Sequence, residues 1–230
     1  MAIVGEPTGL RLVTAHKGIE WIKVVFEGRS AHASCPEEGV NAIYYAAKLV
    51  QMLEQRAKHL NMKKRHPLLG SPTLNVGTIR GGVAPNVVPD RCEIMIDRRW
   101  LPSETIEEIY AEIENVITQV VENTSRVRVN ISRMEETNHC MPLETPVDHQ
   151  LVFTIQAVLA DAGLPPEPHG APYGTDAPLF ATYGIPTVVW GPGDIRQAHS
   201  KDEYIDLDQL WEATRLYIDA IVRITSRQVV

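Results

Sequence analysis

Thr73-Leu74-Asn75-Val76-Gly77-Thr78-Ile79 and Asp90-Arg91-Cys92-Glu93-Ile94-Met95-Ile96-Asp97-Arg98-Arg99 are two β-type runs, joined by Arg80-Gly81-Gly82-Val83-Ala84-Pro85-Asn86. Glycine and proline punctuate the joining segment, so the runs read as consecutive strands. Upstream, Val40, Ile43, Tyr44, Ala47, Val50 and Leu53 or Met52 recur at helical spacing over residues 40–60. Asn41 stands near that start, where its side chain can accept from free amides. Before it, residues 11–29 carry long β-type runs, Ile22-Lys23-Val24-Val25-Phe26 among them, and Gly28-Arg29-Ser30-Ala31-His32-Ala33-Ser34 reads as a loop. Downstream, a helix is expected from about Ser103, with Glu104, Glu107 and Glu108 in its first turns, where acidic groups suit the helix dipole. Its inward face would carry Ile106, Ile109, Ile113, Val116, Ile117 and Val120. Arg126-Val127-Arg128-Val129-Asn130-Ile131 alternates strictly, as a half-buried antiparallel strand does. Residues 11–133 therefore read β, α, β, β, α, β: four antiparallel strands covered on one face by two helices.

The remainder is different in kind. Ile3-Val4 is a fragment of apolar strand running into the turn-rich Gly5-Glu6-Pro7-Thr8-Gly9. After Pro142 come an expected helix at 147–162, closed by Gly163-Leu164-Pro165-Pro166, and a short helix at 176–183 ending at Gly184. Thr187-Val188-Val189-Trp190 has the apolar run of a strand buried on both faces, and a last helix spans about 207–226. This is α/β material, without internal repeat or low-complexity tract.

Composition narrows the function classes. The 230 residues are 44% hydrophobic and 22% charged, as in an ordinary globular protein, and the net charge is −7. That acidity argues against a nucleic-acid surface and against adhesion to anionic membranes. The basic segment 56–66 reads as a solvated helix end and loop. No apolar run approaches the roughly 20 residues that span a bilayer, and the opening residues lack the basic and apolar regions of a signal peptide. Cys35, Cys92 and Cys140 lie far apart, which argues against a disulfide framework or a CxxC motif. A soluble, reduced, cytoplasmic protein is expected.

Glu6 stands where a strand gives way to irregular backbone, a common place for functional groups in α/β sheets. His199 lies in the loop that follows the buried strand. Carboxylate and imidazole together suit zinc. Taken singly, they read equally as a surface carboxylate and a loop histidine.

Together with other motifs they carry a resemblance. Val4-Gly5-Glu6-Pro7-Thr8 comes first, then Gly28 to Ser34 as quoted with Asn41-Ala42-Ile43, then Gly81-Gly82 with Asn86-Val87-Val88-Pro89. Asp97-Arg98-Arg99-Trp100-Leu101-Pro102 follows, and then Gly174-Thr175-Asp176-Ala177-Pro178, Gly191-Pro192-Gly193 and Ala198-His199-Ser200-Lys201-Asp202-Glu203-Tyr204. In this order and spacing the chain resembles the M20 metallopeptidases and deacylases, its closing stretches most like the acetylornithine deacetylase branch. The resemblance implies a zinc-peptidase-like α/β catalytic domain, here in part (1–10 and 134–230), and an inserted four-stranded antiparallel α+β lid (11–133) through which such proteins dimerise. It makes Glu6 and His199 metal ligands for zinc or cobalt. It makes His32 the lid histidine that reaches a neighbouring subunit's site and steadies the oxyanion. Arg99 would take the substrate carboxylate, Asn86 would be a second contact, and Gly174 and Thr175 a cradle near the substrate. The implied substrate is a small N-acyl amino acid or peptide, cleaved by a metal-activated water.

The family also carries a His-x-Asp motif, a metal-bridging Asp and a Glu-Glu pair holding the general base, all ahead of the Gly-Glu-Pro strand. The expectation is that this chain lacks them, opening as it does at that strand. Of its Glu-Glu pairs, Glu37-Glu38 and Glu107-Glu108 read as lid surface, and Glu135-Glu136 with His139 as a solvated linker. Incomplete cover of the strand at 187–190 and its helices then predicts an oligomer. Two other readings stay open: a non-catalytic dimerisation or carboxylate-binding module, and a zinc-independent hydrolase rebuilt around Ser30, Ser34 or Ser200.

Overall fold

The computed structural model describes residues 1–63, 65–122, 124–134 and 140–226. They form two compact units, one of residues 1–18, 67–69 and 140–226, the other of residues 19–63, 65–66, 70–122 and 124–134.

In the first unit, β1 (Ala2–Val4) pairs in parallel with β9 (Thr187–Val189), and β9 lies beside β2 (Val13–His16). β2 also pairs with β7 (Leu143–Glu144), antiparallel, and β8 (His169–Ala171), parallel. Residue alternation along β9 sends Val188 and Val189 to opposite sides of this sheet. Val188 joins Leu10, Leu12 and Trp190 against Leu151, Ile155 and Leu159 of α3 (Gln150–Asp161) and Ala213, Leu216 and Ala220 of α5 (Leu207–Ser226). Val189 packs instead with Val13, Leu143, Ala171 and Ala177, the last from α4 (Ala177–Ala181). Both faces of the strand are covered, as its uniformly apolar run predicted and contrary to the expected gap in its cover; the apolar surface left exposed is on the helices, at Phe153, Leu179, Phe180, Trp211, Ile218 and Val222.

In the second unit the sheet order is β4 (Thr73–Gly81), β5 (Arg91–Trp100), β3 (Gly18–Glu27), β6 (Arg128–Arg133), the expected antiparallel four. Ile22, Val24 and Phe26 of β3 and Cys92, Ile94 and Ile96 of β5 face α1 (Ala42–Lys63) and α2 (Ile106–Val121) across one core. The amide of Ile43 donates to Asn41 Oδ1 at 2.9 Å, which starts α1 as its sequence suggested.

Several boundaries differ from the sequence reading; residues 67–69, expected in the lid, belong to the first unit, and two other differences bear on the fold. β2 belongs to the first unit's sheet, because Leu12 and Val13 fill that unit's cores, so the division falls after residue 18 rather than 10. α2 begins at Ile106 rather than Ser103, with Thr105 and Glu108 in a reciprocal capping box. Glu104 is committed elsewhere: its carboxylate accepts from Arg98 Nη2 at 2.6 Å and from the Leu101 amide at 2.8 Å, fully inside the fold. Arg98 shares the helix-facing side of β5 with Ile94 and Ile96 and is 0% exposed.

Candidate functional site

Glu6, Gly174, Thr175 and His199 belong to the first unit, His32, Asn86 and Arg99 to the second.

In the first unit, parallel pairing carries β1 and β9 to the same edge, and the loops that follow them are stitched together. Thr8 Oγ1 accepts from the Gly191 amide at 3.1 Å, the Gly9 amide donates to the Gly193 carbonyl at 2.8 Å, and the Leu10 amide to the Gly191 carbonyl at 2.9 Å. A Cβ at Gly191 would stand 2.6 Å from the Glu6 carbonyl oxygen, so only glycine allows this approach. The second loop leads to His199, whose φ of 62° is left-handed, a rare conformation for a side chain with a Cβ. Its amide donates to Glu203 Oε2 at 3.0 Å, and the ring is exposed.

Glu6 is half-buried, and its pKa is raised, first by burial and then by the nearby charge of Asp176, with His199 acting in the opposite sense. Asp176 precedes α4 but does not spend its side chain on capping it. Two carboxylates and an imidazole within electrostatic reach are donors of the kind zinc or cobalt takes. A catalytic zinc needs three protein ligands, and among the described residues no three His, Cys, Asp or Glu side chains close around one point. The described residues thus supply part of a donor set and do not by themselves fit a complete metal centre. Glu135, Glu136 and His139 lie outside the described residues. Beside the turn Pro7-Thr8-Gly9 opens a cavity of about 660 Å³, lined by Arg11, His169, Tyr173 and Tyr204 among others, but not by Glu6 or His199.

Thr175 is turned inward. His16 is 0% exposed, and its Nδ1 lies 3.0 Å from the Lys17 carbonyl, which can only accept. The ring proton therefore sits on Nδ1, and Nε2 accepts from the Thr175 hydroxyl at 3.0 Å. That hydroxyl in turn accepts the Ala177 amide at 3.1 Å, at the start of α4. Burial lowers the pKa of His16. The unfolded chain then binds a proton that the folded one resists, so stability is complete above the unfolded value near 6.5 and falls as pH drops below it. Urea unfolding between pH 7.5 and 5 is expected to show this loss, at up to ~1.4 kcal/mol per pH unit until the folded pKa is reached. His16→Gln, which keeps a donor and an acceptor without a titrating ring, should flatten the slope.

In the second unit, His32 and Asn86 come together. The Ala33 amide donates to the Asn86 carbonyl at 3.0 Å, the Val88 amide to the Ala31 carbonyl at 2.8 Å, and His32 bridges Val87. Arg99 lies on the face of β5 away from the helices. Asp97 engages its Nε at 2.7 Å and Nη2 at 2.8 Å, and Trp21 Nε1 donates to the same carboxylate at 3.0 Å. Among the described residues Nη1 meets no acceptor. Asn86 precedes the start of β5 and Arg99 stands next to its end, with about 26 Å of strand between Arg91 and Arg99. One copy of this unit cannot close both on one small carboxylate.

A family profile described as a peptidase dimerisation domain matches residues 14–125. Acetylornithine deacetylase of Pectobacterium carotovorum is 35% identical over 208 residues, covering 89% of this chain and 52% of the relative. The enzyme of that name from Myxococcus xanthus is 32% identical, with 91% and 53% covered. The chain belongs to the M20 peptidase family. It spans about half the length of the curated relatives it matches. Among solved structures, this M20 chain has the fold of the aminopeptidase PepT of Bacillus cereus (TM-score 0.74, 24% identity, 94% of this chain and 54% of that one). A tripeptidase of Staphylococcus aureus is similar (TM-score 0.72, 23% identity, 97% and 56%).

The sequence reading passed over Asp176 and His16. Asp176 stands before Ala177-Pro178, where an acidic residue reads as a helix cap, and His16 lies inside a β-type run beside Lys17, in none of the motifs quoted.

Proposed function

We propose that the chain carries the lid and part of the metal site of a metal-dependent amidohydrolase that cleaves the amide bond of small N-acyl amino acids, N-acetylornithine among them. The electrostatic influence of Asp176 and His199 on Glu6, which follows β1, carries this reading. The identity to acetylornithine deacetylases supports the substrate class. Glu6 and His199 are the metal donors, toward zinc or cobalt, and the remaining ligands and the general base come from outside the described residues.

The chain's own groups act on the substrate. His32 donates to the oxygen that gains charge as the amide carbon turns tetrahedral, a role worth about 2.7–4 kcal/mol for one donor. Arg99 meets the α-carboxylate through Nη1, in a pose fixed by Asp97 and Trp21, and Asn86 offers a second polar contact to the ligand. Gly174 and the backbone of Thr175 edge the substrate, the Thr175 hydroxyl being occupied by His16. Because Asn86 and His32 stand far along β5 from Arg99, a shared site draws them from two copies, which favours a homodimer through the second unit. No helix among the described residues is long and apolar enough to cross a membrane, and no nucleic-acid partner is proposed. The place of action proposed is the cytoplasm.

Hydrolysis of N-acetylornithine and a panel of N-acyl amino acids, with zinc added and then chelated, tests this. Turnover that vanishes on chelation and returns with metal is the expected result. Turnover that survives chelation overturns the metal reading and favours a rebuilt hydrolase. No turnover in either state favours a carboxylate-binding dimerisation module, a reading that the incomplete donor set among the described residues supports.

A further inference from the structure

The Nδ1 atom of His32 lies 2.6 Å from Ser34 Oγ and 3.2 Å from the Ser34 backbone nitrogen. A backbone N–H can only donate, so the Nδ1 it meets carries a lone pair and no proton. The Ser34 hydroxyl, free to rotate, donates to the same lone pair. The proton of the neutral ring is thereby placed on Nε2.

We propose that Ser34 is a positioning residue: with its amide and its hydroxyl it holds His32 in the Nε2–H tautomer. This deepens the reading of His32 as an oxyanion donor and rests on it for its functional meaning. The opposite tautomer would present a lone pair to a developing negative charge and repel it. A donor that already carries its proton needs no proton shift at the moment of reaction, which is where a fixed dipole has its value. The loop is held for the purpose from both sides, since the Ala33 amide donates to the Asn86 carbonyl and the Cys35 amide to the His32 carbonyl at 2.9 Å. Ser34 is exposed and lies in no core cluster, and beside the ring its hydroxyl meets Cys35 Sγ at the longer distance of 3.8 Å.

The tautomer is read without any activity, from long-range ¹⁵N–¹H correlation spectra of the full chain labelled at its histidines, above the pH at which the ring charges. His32→Asn identifies the His32 signals by their loss. In the unaltered chain, His32 should show the pattern of a proton on Nε2. Ser34→Ala keeps the backbone donor and removes the hydroxyl, and should shift the tautomer ratio about fivefold toward Nδ1–H. Ser34→Thr should restore the original pattern. Should Ser34→Ala not fold, Ser34→Gly removes the same hydroxyl. A ring protonated on Nδ1 in the unaltered chain, or a ratio unmoved by loss of the hydroxyl, overturns the proposal. Where turnover is measurable, kcat should fall in Ser34→Ala and recover in Ser34→Thr, with KM unchanged. Loss of the hydrolase reading would leave the spectra as predicted; loss of the positioning role would change the spectra themselves.

Discussion

Glu104→Ala is expected to destabilise the second unit by about 3–5 kcal/mol, the cost of leaving a buried charge without its partner. The domain's whole stability is of the order of 5–15 kcal/mol, so this one change brings it near unfolding. Arg98 is fully buried, and its Nη2 lies 2.6 Å from Glu104 Oε1 and 3.5 Å from Glu112 Oε2. Its Nη1 donates to the Arg99 carbonyl at 2.6 Å, and its Nε finds no partner among the described residues. Glu112 is also engaged by Arg56, so it cannot take over as the sole counter-ion of Arg98. Urea unfolding of the variant measures the loss. Replacing the pair together, Arg98→Met with Glu104→Leu, should cost less than Glu104→Ala alone, because no charge is left in the core. A single-variant cost below about 1 kcal/mol, the value of an exposed pair, would show that water reaches the guanidinium.

That ion pair also marks the limit of what sequence could reveal. Glu104 was read as a first-turn acid of α2 because helix starts favour acids. Only the fold shows it turned back to a charge six residues earlier, so that α2 starts at Ile106 with Thr105 as its cap. The long periodic elements were legible: Ile109, Ile113, Val116, Ile117 and Val120 are all buried along α2 as spaced. β7 and β8 were not, because two or three residues carry no period. The sequence places β2 in the lid because residues 11–29 read as consecutive β-type runs. β2 and β3 part at Lys17, where hydrogen bonding passes from one sheet to the other. In the candidate site, the short motifs showed which residues to examine but not their separations. Asn86 and Arg99 are 13 positions apart in sequence and stand toward opposite ends of β5, since a strand converts sequence distance into length. Asp176 and His16 carried no signal because each sits where its residue type is commonplace.

His32→Ala is expected to lower kcat by about 10²–10³-fold with little change in KM, since an oxyanion donor acts on the transition state more than on bound substrate. Arg99→Met should act mainly on KM, because the guanidinium holds a carboxylate that is charged throughout the reaction. The geometry of β5 adds a sharper expectation for the two together. Were a site built from His32 of one copy and Arg99 of the other, a heterodimer of the two variants would have one site with both lesions and one with neither. Random assortment makes half the dimers mixed, so co-expressed variants should recover about a quarter of the unaltered activity under conditions where each alone is nearly silent. Steady-state assay of the co-purified mixture, beside each variant alone, reads this directly. Were both groups drawn from a single copy, every site in the heterodimer would keep one lesion, and mixing would recover nothing beyond the average of the two variants. That second outcome would require the chain to bring Asn86, His32 and Arg99 within reach of one ligand despite the length of β5, and would sink the shared site.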